Sequence, residues 1–260
     1  MTYTPFDLSG KVALITGGNR GIGLGMAEAL AQAGADICLW GRDEARNTAA
    51  VESLKIHGTR VSAQVCDVAD DSQVVDRMGD CLTEFGRIDG CFANAGVLGG
   101  ARSFFDISTD DWHQVLGVNL DGAFFTLKAA AAHMKERAES GDPAGRLIVT
   151  SSLASISGAA RNEHYAATKG GVSAMMKALS VELARYGVTA NAILPGWIET
   201  DMTETAMSNE KFAGNVMPRI PVRRWGQPED FGGIAIYLMS DASAYHTGDE
   251  ILIDGGYFLF

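Results

Sequence analysis

The chain is short of positive charge: 21 Lys and Arg stand against 32 Asp and Glu, a formal net charge of −11 over 260 residues. That balance offers no basic field to draw a polyanion, which argues against nucleic acid and anionic membrane surfaces and leaves a small or weakly charged partner. Long hydrophobic runs are missing as well. No stretch approaches the roughly 18 uninterrupted apolar residues of a membrane span, and even Ala123 to Ala132 is interrupted by Lys128. The opening MTYTPFDLSGK lacks a basic segment followed by an apolar one, so no secretory signal is expected. Of the four cysteines, Cys38, Cys66, Cys81 and Cys91, no two form a CxxC pair, and three sit in or beside strand-like runs where a reduced thiol fills core. The five histidines (His57, His113, His133, His164, His246) show no HExxH or clustered spacing, so no metal site is expected and zinc-assisted chemistry is disfavoured. These absences describe a reduced, cytoplasmic protein that binds neither nucleic acid nor membrane.

What is present is a regular alternation. Strand-like runs at Lys11–Thr16, Asp36–Gly41, Arg60–Val65, Ile88–Ala93, Arg146–Ser151, Val188–Leu194 and Glu250–Ile253 are separated by helical patterns. The helices are expected at about Gly21–Ala33, Asp43–His57, Asp70–Phe85, Ser108–Arg137, His164–Tyr186 and Pro228–Ser240. Several strands read as continuous apolar runs, the pattern of a parallel sheet covered on both faces. The prediction is α/β: one domain over residues 1–260, a Rossmann-type doubly wound parallel sheet of about seven strands. Pro195 to Gln227 breaks the rhythm. This irregular stretch holds Trp197, Met202, Met207, Phe212, Met217 and Trp225, and a long apolar loop in a compact domain reads as a substrate lid, at about residues 196–226.

After the first strand comes Thr16-Gly17-Gly18-Asn19-Arg20-Gly21-Ile22-Gly23, leading into an Ala-rich helix. Glycines let the backbone turn sharply beside a pyrophosphate, and the free N–H groups of the new helix face the anion. The literal GxGxxG pattern fails, because Met26 follows Gly25; the spacing is TGxxxGxG. NAD-preferring sites usually carry an acid about 20 residues further on. Here the second strand ends in Leu39-Trp40-Gly41-Arg42, and Arg42 with Arg20 suits a 2′-phosphate, which favours NADP(H) over the alternative NAD(H).

Tyr165 and Lys169 lie four apart, on one face of a helix, with Ser152 at the carboxyl end of the preceding strand and Asn119 in the long helix before it. An unperturbed tyrosine has a pKa of about 10, and a nearby lysine ammonium with an oxidised nicotinamide is expected to lower it toward service as a general acid/base. Ser152 donating to the substrate oxygen is worth about 2 to 4 kcal/mol at a good oxyanion-type site.

Taken together, the Thr16–Gly23 turn, Asp67-Val68, Asn94-Ala95-Gly96, Asn119, Ser152 with Tyr165 and Lys169, and Pro195-Gly196 with Thr200 resemble the classical short-chain dehydrogenase/reductase family, from about Leu8 to Tyr257. The resemblance implies catalytic roles for Asn119, Ser152, Tyr165 and Lys169. Tyr165 would be the acid/base, Ser152 would position the substrate oxygen, Lys169 would hold the nicotinamide ribose, and Asn119 would anchor a relay water. It implies cofactor contacts at Gly17, Asn19, Arg20, Gly21, Ile22, Gly23 and Arg42. Asp67 and Val68 would meet the adenine, Asn94, Ala95 and Gly96 would brace the ribose, and Pro195, Gly196, Ile198 and Thr200 would lie along the nicotinamide. Members form tetramers or dimers, and the apolar end Tyr257-Phe258-Leu259-Phe260 is expected to be buried against a neighbouring subunit. The polar insertion Glu139 to Ala144 reads as a surface loop far from the crevice.

The substrate is expected to be a small secondary alcohol or ketone, with Leu153, His164 and Trp197 facing its pocket. The opening Phe6 to Val12 and the NADP signal look like sugar-acid and polyol dehydrogenases of the family. A 3-oxoacyl-carrier reductase is the alternative, ranked second because an acidic carrier is repelled by a −11 surface on which Lys135 and Arg137 are the only start of a basic patch. A non-catalytic dinucleotide-binding regulatory module comes last, having no need of Ser, Tyr, Lys and Asn at working spacing.

Overall fold

The computed structural model describes residues 4–101 and 103–260. Its chain runs β1 (Val12–Thr16), α1 (Gly21–Gln32), β2 (Asp36–Gly41), α2 (Glu44–Leu54), β3 (Val61–Val65), α3 (Asp71–Phe85), β4 (Gly90–Ala93), α4 (Thr109–Leu116), α5 (Gly122–Glu139) and β5 (Gly145–Thr150). It continues through α6 (Ala154–Ser157), α7 (Glu163–Leu183), β6 (Val188–Pro195), α8 (Glu204–Met207), α9 (Glu210–Val216), α10 (Gly232–Met239) and β7 (Glu250–Ile253). All seven strands join one parallel sheet in the order β3-β2-β1-β4-β5-β6-β7.

Period-two alternation explains why the central strands read as unbroken apolar runs. In β1, Val12 and Leu14 join the core under α3, α5 and α7, whereas Ala13 and Ile15 join the core under α1, α2 and α10. The same split recurs in β2, with Cys38 and Trp40 on one face and Ile37 and Leu39 on the other. All four cysteines are free and buried. The chain reverses its direction of sheet growth between β1 and β4, so a crevice opens at their carboxyl ends, where ligands of such sheets bind.

Two readings of the sequence need correction. The helix expected over Ser108–Arg137 is interrupted by a π-turn at Gly117–Asp121, between α4 and α5. Its start is as expected: the Ser108 hydroxyl accepts from the Asp111 N–H, and the Asp111 carboxylate accepts from the Ser108 N–H. The combined run Thr109–Glu139 is long and apolar enough by composition to cross a membrane, and here its Leu127, Ala130 and Met134 fill the core beneath the sheet. The second correction concerns the segment after Pro195. It is built from α8, α9 and a 3-10 turn at Met217–Arg219, with Val216 and Ile220 buried beneath. Helices of one or two turns are too short for a 3.6-residue periodicity to register, and tertiary packing holds them.

The chain end forms a 3-10 turn at Tyr257–Leu259 in which Phe258, Leu259 and Phe260 are exposed in the isolated chain.

Candidate active site

The turn after β1 owes its shape to left-handed backbone at Gly17 (φ 63°) and Gly21 (φ 52°), where a side chain is costly. Asn94, just beyond β4, fastens it. The Asn94 and Ala95 amides donate to Thr16 Oγ1 at 3.1 and 3.0 Å, and Asn94 Nδ2 donates to the Thr16 and Gly17 carbonyls at 3.0 and 3.2 Å. Asn94 Oδ1 in turn accepts from Thr150 Oγ1 at 2.9 Å, so one side chain links the ends of β1, β4 and β5. On the opposite side Asn19 Nδ2 donates to Asn47 Oδ1, while Asn47 Nδ2 donates to the carbonyl of Gly41. Helix α1 starts at Gly21 with no side chain capping its first turn, so its free N–H groups face the crevice.

At the far end of the crevice three guanidiniums gather. Arg42 is exposed, its nearest carboxylate the Asp67 side chain at 4.0 Å. Arg20 and Arg46 both pair with Asp201, at 3.2 and 2.7 Å. Asp43, beside the β2 tip, is occupied in capping α2 through the Arg46 N–H. Arg46 and Asp201 escaped the sequence reading because they are 155 positions apart and only the fold brings them together.

At the other end, α7 places Tyr165 and Lys169 one turn apart, facing Ser152 beyond β5. Lys169 is buried, its Nζ donating to the Thr150 carbonyl at 2.7 Å and lying 5.5 Å from the centre of the Tyr165 ring. Burial pulls the Lys169 ammonium down to about 8. Tyr165 differs from expectation: burial raises it above its ordinary value, offset in part by a hydrogen bond with Ser152. The Lys169 ammonium is turned to the Thr150 carbonyl, and burial of the phenolate prevails. Asn119 sits in the π-turn and is buried. Its Oδ1 accepts from the Val97 N–H at 2.8 Å, and its Nδ2 donates to the Val97 carbonyl at 2.9 Å and to Thr168 Oγ1 at 3.3 Å.

One cavity of about 920 Å³ joins both ends. Gly17, Asn19, Arg20, Gly21, Ile22, Arg42, Asp67, Val68, Asn94, Ala95 and Gly96 line it, as do Ser152, Tyr165, Lys169, Pro195, Gly196, Ile198 and Thr200. Two of the sequence-derived site residues stand behind the wall instead. Gly23 is buried where a Cβ would collide with the Gly17 carbonyl and Asn94 Nδ2, so it serves the packing of α1. Asn119 likewise acts on the site through the Val97 backbone. Of the three side chains expected in the substrate pocket, Leu153 and Trp197 line it and His164 does not. His164 is buried beneath Gly99, where any side chain would strike the imidazole, because neighbouring positions on a helix point about 100° apart. Trp197 meets the Phe212 and Tyr257 rings at 4.8 and 6.4 Å, forming an aromatic wall under the lid.

A dinucleotide fits this lining. The uncapped helix start and tight glycine turn suit a pyrophosphate, the guanidiniums suit a 2′-phosphate, and Gly96 leaves room beside Lys169, where an added Cβ would stand 3.6 Å from Nζ. Among the described residues, no three His, Cys, Asp or Glu side chains are grouped to hold a metal ion.

Comparison with known proteins agrees with this geometry. A family model described as enoyl-(acyl carrier protein) reductase matches residues 17–258. The chain is 37% identical over 253 residues to the 2-dehydro-3-deoxy-D-gluconate 5-dehydrogenase of Pseudoalteromonas atlantica, covering 97% of each chain. It is 36% identical over 250 residues to the 3-oxoacyl-(acyl-carrier-protein) reductase FabG of Chlamydia pneumoniae, covering 96% of this chain and 97% of that one. Among solved structures, a gluconate 5-dehydrogenase from Burkholderia cenocepacia in complex with NADP and tartrate superposes with a TM-score of 0.92 at 35% identity, covering 99% of this chain and 98% of the other.

Proposed function

The chain belongs to the classical short-chain dehydrogenase/reductase family, and from that membership we propose that its substrate is a sugar acid, oxidised at a secondary hydroxyl or reduced at the corresponding ketone. It is an NADP(H)-dependent oxidoreductase interconverting a secondary alcohol and a ketone. The reaction consumes the alcohol and NADP⁺ and yields the ketone, NADPH and one proton. When bound, the coenzyme accepts hydride from the carbinol carbon or returns it to the carbonyl carbon.

The residues divide the remaining work. Ser152 Oγ donates a hydrogen bond to the substrate oxygen, stabilising the charge that develops there during transfer. Tyr165 exchanges the proton of that oxygen. Its raised pKa keeps the phenol protonated in the free protein, ready to donate during reduction. Alcohol oxidation requires the phenolate, which the positive charge of the oxidised nicotinamide favours. Lys169 spends one of its three donors on the Thr150 carbonyl and keeps two for the nicotinamide ribose hydroxyls. Arg42, with Arg20 and Arg46, holds the 2′-phosphate, and the 196–226 segment closes over the substrate.

The observation that carries the reading is the convergence of Ser152, Tyr165 and Lys169 with the glycine turn on one cavity. A regulatory module has no use for that convergence. The acyl-carrier reading is disfavoured by charge: Arg137 is engaged by Asp89 and Asp142, and Lys135 has Glu139 3.7 Å away, which leaves little net positive charge there for an acidic carrier. Two further points belong to the proposal, a cytoplasmic location and a homotetrameric assembly. Their support is four free cysteines and an exposed aromatic chain end.

The test is a screen of NADPH oxidation and NADP⁺ reduction against keto-sugar acids, aldonates, polyols and 3-oxoacyl thioesters. The sugar acids are expected to give the highest kcat/KM; a preference for the thioesters would overturn the proposal.

A further inference from the structure

Arg161 occupies the turn between α6 and α7, four residues before Tyr165, and lines the cavity at its substrate end. Its backbone is left-handed (φ 70°), a conformation that costs a residue with a Cβ about 1–2 kcal/mol. The turn is over-determined by local bonds: the Arg161 N–H donates to Glu163 Oε1 at 3.0 Å, and the Asn162 N–H donates to the Ala159 carbonyl at 3.0 Å. It also leaves two buried acceptors, Asn162 Oδ1 and Glu163 Oε2, without partners. Local cost of this kind persists where the surroundings enforce it, and it gathers at ligand-binding positions.

The charge on Arg161 stands out against the rest of the cavity. At the coenzyme end Arg20 and Arg46 pair with Asp201, and Arg42 faces Asp67. Lys169 is committed to the Thr150 carbonyl. The carboxylates lining the cavity, Asp43, Asp67 and Asp201, all belong to that same coenzyme end. Among the described residues, the Arg161 guanidinium has neither an ion pair within 4.0 Å nor a side-chain hydrogen bond, Glu163 having given its Oε1 to the backbone. Arg161 is exposed at the cavity that Ser152 and Tyr165 also line, so in a chain carrying 32 acidic side chains its unpaired guanidinium is open to an anionic group of the substrate.

We propose that Arg161 is the carboxylate-recognition residue of the substrate site. Its planar fork pairs with the carboxylate of a sugar acid, sets which hydroxyl carbon reaches Ser152 and Tyr165, and selects aldonates over uncharged polyols. The assignment rests on the sugar-acid reading and adds to it the residue that enforces it.

The experiment compares gluconate with sorbitol, its uncharged counterpart, by steady-state kinetics with NADP⁺ and by calorimetric titration of the NADP⁺-loaded protein. The variants are Arg161→Gln, Arg161→Lys and Arg161→Gly, the last suited to positive φ so that the turn is kept while the charge is removed. Arg161→Gln and Arg161→Gly are each expected to lower the gluconate-to-sorbitol ratio of kcat/KM about 10- to 100-fold, the size of effect expected when a hydrogen bond between charged groups is lost. The loss should fall on KM, with gluconate binding weakened in the titration and Arg161→Lys intermediate. Added salt should raise the wild-type KM for gluconate and leave that of Arg161→Gln flat. An unchanged ratio, or equal loss on both substrates, would overturn the assignment while leaving the sugar-acid reading standing. A wild-type protein that neither binds nor turns over any aldonate would overturn the sugar-acid reading itself, and the role of Arg161 with it.

Discussion

Tyr165 and Lys169 show how far single residues can be read from sequence. Their four-residue spacing on one helix face, and Ser152 at a strand end, placed all three in the crevice. Their ionisation was not legible, because it depends on how deeply the fold buries them. Lys169 gives a test with a defined sign. Below about pH 8 it is charged in both folded and unfolded chains, and its burial is a constant cost. Between about 8 and the ordinary 10.5 the folded chain has released a proton that the unfolded chain still holds, so this residue makes stability rise with pH there. The Cys66 and Cys91 thiols, pushed to about 12 by burial, work in the opposite sense above pH 9. Comparing wild type with Lys169→Met by urea unfolding separates the two. The stability of the mutant relative to wild type is expected to fall by about 3 kcal/mol between pH 8 and 10.5. Coenzyme choice is a second residue-scale matter. Arg42→Asp is expected to lower the NADP⁺ to NAD⁺ ratio of kcat/KM by at least about 10-fold, a charged contact with the 2′-phosphate being replaced by repulsion.

At the scale of elements, long segments were legible and short or irregular ones were not. The strands around β1 announced themselves by apolar content, and the helix expected over Asp70–Phe85 is α3, capped by Asp70 and ended by Gly86 in left-handed conformation. The π-turn carrying Asn119 left no mark in the hydrophobic pattern, since one added residue in a helix shifts the pattern without erasing it. Its consequence is specific: Asn119 reaches across to both polar groups of Val97 and steadies the loop that follows β4. Asn119→Ala removes the partner of both part-buried groups, and a loss of about 1–3 kcal/mol in urea unfolding is expected, from a net worth of about 0.5–1.5 kcal/mol per hydrogen bond. The lid start offers another test. Asp201 holds Arg20 and Arg46 and competes with any phosphate brought to them. Asp201→Asn is expected to tighten NADP⁺ binding about 3- to 10-fold, measured by fluorescence titration, the gain of removing one competing charge.

For the molecule as a whole, the −11 charge and the crevice describe one economy of charge: basic side chains are few, and several of them stand around the cavity. The chain end, with Phe258, Leu259 and Phe260 exposed, and the groove along α5 and α7 lined by Phe124, Met175 and Leu179 belong to the same scale. The glycine turn near residue 20 and Tyr165, far apart in sequence, line one cavity and so can serve one transfer event. The most direct measurement is coenzyme oxidation at 340 nm in a single turnover of Tyr165→Phe, beside its NADPH affinity. Turnover is expected to fall about 10²- to 10⁴-fold while the NADPH dissociation constant stays within about threefold, since the hydroxyl is not among the groups that hold the phosphates. Turnover close to wild type with intact coenzyme binding would contradict it.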